Sequence, residues 1–96
     1  MDERRLHDSE LVARCLGSRR DLQQAFRVLY ERHAPIVLRF LRSMVGPDHA
    51  NDCLQETFLR VYRDLERIDG ARSFRGWVFG VARHVALDGI RGRARR

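Results

Sequence analysis

The chemistry this sequence could perform is concentrated in its last quarter. Arg72 and Arg75 interleave with Phe74 and Trp77, pairing guanidinium groups with flat aromatic rings. Such a combination stacks on unpaired bases while holding a strand by its phosphates. Further on, His84, Asp88, Arg91 and Arg95 recur at spacings of four, three and four, which puts them in one helical stripe. The competing reading makes Phe74 and Trp77 core residues and pairs Asp88 with Arg91; it is the better account of Phe74 and leaves Trp77 open. A second constellation is Asp52, Gln55 and Glu56, with Leu59 one turn beyond Gln55. It forms a polar, acidic patch beside an apolar residue, the mixture of a protein interface. Spacing alone favours a solvated face there, with Arg60 paired to Glu56 four residues earlier.

Catalysis finds little support. His7, His33, His49 and His84 are dispersed, no glycine-rich phosphate loop is present, and no nucleophile has a base partner. His49 and Cys53 are four residues apart, but two ligands do not close a zinc site, and Cys53 reads as a core residue. The sequence therefore implies a protein that is not an enzyme and needs neither cofactor nor metal.

Charge points to the same quarter of the chain. The net charge is +6, yet residues 1–70 hold 12 arginines against 12 carboxylates, whereas residues 71–96 hold seven arginines against Asp88 alone. A concentrated basic segment attracts a phosphate backbone and releases its counterions. Every basic residue other than histidine is Arg, the side chain that contacts phosphate and guanine in bidentate fashion. With 96 residues, 44% hydrophobic and 33% charged, the composition fits one ordinary globular domain. No apolar run reaches the roughly 20 residues of a membrane span. The charged start, Met1 to Leu6, lacks the apolar stretch of a signal peptide, so a cytoplasmic protein with Cys15 and Cys53 reduced is expected.

Four helices are expected to position these residues, with no competing strand pattern. Asp8 is the expected N-cap of the first, which carries Leu11, Val12, Cys15 and Leu16 and stops at Gly17. A capping box of Asp21 and Gln24 opens a long second helix bearing Leu22, Phe26, Leu29, Tyr30, Val37, Phe40, Leu41 and Met44. The apolar face stays in phase across Pro35, which predicts one kinked helix rather than two. After the Gly46-Pro47 turn, Asp48 is the expected cap of a third helix with the stripe Leu54, Phe58, Val61, Tyr62 and Leu65. Ser73 is the expected cap of the fourth, which carries Phe74, Trp77, Val78, Val81 and Val85. Glycines inside that helix cost it about 1 kcal/mol each relative to Ala, so its end beyond Gly89 is expected to fray.

In this order the segments resemble a known family. NDCLQETFLRVYRDL (residues 51–65), SFRGWVFGVARH (residues 73–84), and Asp88 with Arg91 are similar to region 2 of bacterial sigma factors of the extracytoplasmic-function (ECF) group, and Glu10-Leu-Val and AFRVLYERH (residues 25–33) fit as well. The resemblance covers residues 8–93. It implies an all-α compact bundle of about four helices in which Asp52, Gln55, Glu56 and Leu59 contact core RNA polymerase, on the clamp helices of its largest subunit. It further implies that the loop Asp69, Gly70, Ala71, Arg72 and Ser73 captures a base extruded from the non-template strand of the minus-ten element. Arg75, Trp77, Arg83, His84, Asp88 and Arg91 then belong to the helix that recognises that promoter DNA and to its surroundings. His84 stands where many relatives have Asn, so base preference at that contact does not carry over.

The resemblance implies residues 1–93 as a region 2 domain and residues 94–96 as the start of a linker, without the C-terminal domain that reads the minus-thirty-five element. The expected function is that of a transcription initiation factor domain which binds core polymerase and stabilises the melted strand. Two rivals stand beside it, a fragment acting mainly as the target of an anti-sigma factor, and a general basic DNA-binding module.

Overall fold

A computed structural model describes residues 2–68 and 73–95. Its architecture is all-α. Four helices follow in order, α1 (Asp8–Gly17), α2 (Arg19–Val45), α3 (Pro47–Arg63) and α4 (Phe74–Ala94), with single 3-10 turns at Glu3–Arg5 and Leu65–Arg67. At 27 residues α2 is about 40 Å long, and it packs against each of the other three helices.

The first three helix starts differ from the expected caps by one to three residues. His7, in extended backbone, caps α1, and the Glu10 carboxylate accepts from its N–H at 3.2 Å. Asp8, expected to cap, is instead the first helical residue. Ser18 caps α2 by accepting from the Asp21 N–H at 3.2 Å, so the cap lies three residues upstream of the Asp21–Gln24 box. The helix runs unbroken through Pro35, as the in-phase apolar face requires. Gly46 ends α2 and starts α3 at once. Its N–H donates to the Arg42 carbonyl, its carbonyl accepts from Ala50, and its φ of 84° is one that side-chain-bearing residues rarely adopt. Pro47 follows at the first helical position, where its missing N–H costs nothing, and Asp48 lies in the first turn rather than at the cap. Ser73 caps α4 as expected, accepting from the Gly76 N–H at 3.3 Å. That helix then continues past Gly89 to Ala94, further than its glycines predict.

The core lies along α2, where Ala25, Leu29, Ala34, Val37, Leu41 and Val45 are buried, as are Leu11 and Val12 of α1, Leu54, Phe58 and Val61 of α3, and Phe74, Val78 and Val85 of α4. Edge-to-face rings tie α2 to α3, with Tyr30 4.8 Å from Phe58 and Phe26 5.2 Å from Tyr62. Leu16 and Tyr62, placed by periodicity on buried stripes, are instead exposed at the bundle's edge. Thr57, buried in mid-helix, satisfies its hydroxyl by donating to the Cys53 carbonyl at 2.6 Å. Both cysteines are free and buried. Burial, with a smaller contribution from the Glu3 charge, pushes the Cys15 thiol up to about 11.

Candidate nucleic-acid interface

The geometry of α4 follows from its alternation of small and large residues. Phe74, Val78, Ala82, Val85 and Ala86 face the core. Gly76, Gly80 and Val81 lie on a different side, where Ser73, Trp77 and His84 complete the wall of a groove of about 490 Å³. A methyl group placed at Gly80 would meet nothing within 4 Å. The two glycines therefore keep the floor low beside the Trp77 ring, leaving room for a flat group to lie against it. Trp77 is half-buried and edge-on to Phe74, whose ring is 6.3 Å away and itself buried. Phe74 is thus a core residue, while Trp77 packs inward with one edge and lines the groove with the rest. Its neighbour His84 is exposed on the groove wall.

Arg75 lies on the other side of the helix start, in a second, more open groove with Arg4 and Arg32. Arg83 and Arg91 are exposed, and Arg83 is on neither groove wall. Of the loop assigned to base capture, only Ser73 is described; Asp69, Gly70, Ala71 and Arg72 lie outside the described residues.

On α3 the residues Asp52, Gln55, Glu56 and Leu59 all project outward, Leu59 with 65% of its surface exposed. Leu59 is the most exposed large hydrophobic side chain among the described residues. Arg60 pairs with Glu56 at 2.9 Å, as the spacing allowed, but its guanidinium also reaches Asp88 of α4 at 3.6 Å. Asp88 in turn lies 3.9 Å from Arg91. A chain of charges therefore joins the α3 patch to the far part of α4 at one edge of the molecule. Nothing in the linear spacing of Arg60 and Asp88, 28 residues apart, signals this link.

A further cluster escaped the sequence reading. Asp8 accepts from Arg32 at 2.9 Å and from His33 Nε2 at 2.8 Å, and Arg32 also donates to the Arg4 carbonyl at 3.0 Å. A carboxylate only accepts, so the proton on this side of the ring is on Nε2. His33 is 3% exposed, and its ring lies 5.3 Å from that of Phe74. The cluster thus clasps the amino-terminal segment to α2 directly beneath the start of α4. Burial pushes the Asp8 carboxyl up, but hydrogen bonds from His33 and Arg32, together with the guanidinium charge, outweigh it and hold the group below the usual carboxylate range. Among the described residues no three side chains converge as metal ligands, and no helix is long and apolar enough to cross a membrane.

Comparison with known proteins places this arrangement. A profile of the Sigma-70 region 2 family matches residues 29–96. The chain is similar to the ECF RNA polymerase sigma factor SigL of Mycobacterium tuberculosis, 37% identical over 79 residues that span 80% of this chain and 45% of the relative. It is also similar to the RNA polymerase sigma factor CarQ of Myxococcus xanthus, 41% identical over 70 residues, 72% of this chain and 40% of that one. The chain thus spans less than half the length of these curated relatives. Among solved structures it superposes on an engineered region 2 of sigmaE, determined by NMR in complex with GTAAAA, with a TM-score of 0.87, 30% identity, and coverage of 100% of this chain and 97% of the other.

Proposed function

This chain belongs to the Sigma-70 region 2 family, among the ECF sigma factors, and from that membership we propose that it joins core RNA polymerase to an opened promoter. On this reading Asp52, Gln55, Glu56 and Leu59 form the polymerase contact, and the groove of α4 holds unpaired bases of the non-template strand of the minus-ten element. The loop Asp69–Arg72, with Ser73, takes the extruded base, while Arg75, Arg83 and Arg91 hold phosphates around it. Residues 1–93 act as the region 2 domain, and residues 94–96 lead into a linker. The protein acts in the cytoplasm, with the polymerase, and an anti-sigma factor would inhibit it by covering the same surfaces.

One observation carries this proposal. The groove that can accept a base on Trp77 is built on a single face of α4, lined by Ser73, Gly76, Gly80 and His84. Extruding a base costs a few kcal/mol of unstacking, and stacking on an aromatic ring returns about 1–3 kcal/mol per base. No bond is made or broken, so no side chain needs a catalytic role; the protein acts by holding one strand apart from the other. Asp88 fits as a spacer of the site's charge, since Arg60 and Arg91 neutralise it and keep it from repelling phosphate.

Trp77 is the single tryptophan of the chain, which makes its fluorescence a direct reporter. A single-stranded oligonucleotide carrying GTAAAA should quench it at lower concentration than a scrambled hexamer, and Trp77→Ala should weaken binding by about 5- to 150-fold. Equal titration curves for the two hexamers across salt concentrations would overturn the base-reading role. For the polymerase contact, the triple substitution D52A/Q55A/E56A should abolish co-purification with core polymerase while leaving the melting temperature within a few degrees, since all three side chains are exposed. Undiminished co-purification would refute it.

A further inference from the structure

The second groove beside α4 has a use that the base-holding groove does not cover. Its volume is about 560 Å³, and its walls come from three places in the chain, Arg4 and Asp8 at the amino-terminal end, Arg32 and His33 in mid-α2, and Ser73 and Arg75 at the start of α4. Three guanidinium groups face one carboxylate, and that carboxylate is already bound by Arg32 and His33. Arg4 and Arg75, both exposed, make no ion pair with any described residue. Both guanidinium groups line the same groove, where their like charges make an anion a favourable occupant. The start of α4, a helix of 21 residues, adds the positive end of its dipole to the same space. Ser73 lines this groove and the base-holding groove alike, so the two adjoin at the helix cap.

We propose that this groove carries the phosphate backbone of the nucleic-acid strand where it leaves the base-holding groove of α4, with Arg4 and Arg75 as phosphate ligands. Arg32 does not bind the strand in this arrangement. It braces the segment, holding the Arg4 carbonyl and Asp8 so that the Arg4 side chain stays on the groove wall. The inference rests on the reading of α4 as a single-strand site and extends that site onto the amino-terminal segment, which the sequence left without a role.

The test compares the single-stranded hexamer GTAAAA with two longer probes, one extended by six thymidines on its 5′ side and one on its 3′ side. With the whole 96-residue chain, one of the two extensions should tighten binding and steepen the dependence of log K on log salt, by about 0.7 for each phosphate engaged. Arg4→Gln should remove about 0.7 of that slope and much of the gain from extension, with hexamer affinity unchanged, since Arg4 does not line the base-holding groove. An extension that gives no gain in the wild type, or an Arg4→Gln protein that binds the extended probe with the wild-type slope, overturns the proposal. So does an equal loss for hexamer and extended probes, because that marks a diffuse field rather than a local phosphate contact. Displacement of the hexamer by polyglutamate as readily as by the extended strand would assign the groove to an acidic peptide instead. If the wild type fails to prefer GTAAAA over its scrambled form, the α4 reading falls first and takes this one with it; if only the extension arms fail, the α4 reading stands.

Discussion

Substituting Asp8 should have an effect out of proportion to a residue on the first turn of a ten-residue helix. Its carboxylate accepts from Arg32 at 2.9 Å and from His33 at 2.8 Å, and it retains 27% of its side-chain exposure. Hydrogen bonds to a charged group contribute about 1.5–3 kcal/mol each, and partial solvent access places both at the low end. Asp8→Ala removes both and leaves the Nε2 donor of a buried imidazole without its partner. The expected loss is about 3 kcal/mol, which for a domain of this size lowers the melting temperature by about 12–24 °C. Urea and thermal denaturation followed by circular dichroism read this directly. A double-mutant cycle with His33→Phe should return a coupling energy above about 1 kcal/mol. The pH dependence has a definite sign. Because the folded-state pKa of Asp8 lies below its unfolded value of about 4, its contribution is complete above that value and is lost as pH falls through the folded one. Wild type and Asp8→Ala should therefore converge in stability as the solution is acidified below pH 4. A cost under 0.5 kcal/mol at pH 7, or a difference between the two proteins that persists undiminished at low pH, would refute the argument.

Gly89→Ala should stabilise α4 by about 1 kcal/mol, raising the melting temperature by about 4–8 °C, because a methyl group there meets nothing within 4 Å. In the thermal scan a decrease would show that the glycine is needed by the packing. Cys15, with its thiol pushed up to about 11 by burial, should react with a thiol reagent at pH 8 only as fast as the protein unfolds. Labelling in native buffer at the rate of a free thiol would contradict that burial.

Residues close together in the sequence announced themselves; those brought together by the fold did not. The buried stripe of α3, the Ser73 cap and the continuity of α2 through Pro35 were legible because each depends on spacings within one helix, where side chains three and four residues apart must share a face. The pairing of Arg60 with Glu56 was legible for the same reason. Cap positions were less so. Ser18 and Gly46 replaced Asp21 and Asp48, since several neighbouring polar or flexible residues satisfy a helix end almost equally well and the path of the preceding chain selects among them. Helix α4 itself extends past Gly89 to Ala94, although its buried residues end at Ala86.

By itself the sequence determined a helical protein with all its excess positive charge in one segment, and motifs specific enough to carry a family. Only the tertiary structure decided which of those charges are free. It committed Asp8 and Arg32 to a clasp around a buried histidine, joined Arg60 to Asp88 across two helices, buried Phe74, and left Trp77 on one groove and Arg4 beside Arg75 in the lining of another. The physical reason is the range of the interactions. Helix propensity and periodicity act over a few residues and can be read along the chain, whereas ion pairing and burial depend on distances through space that are set only when the helices pack.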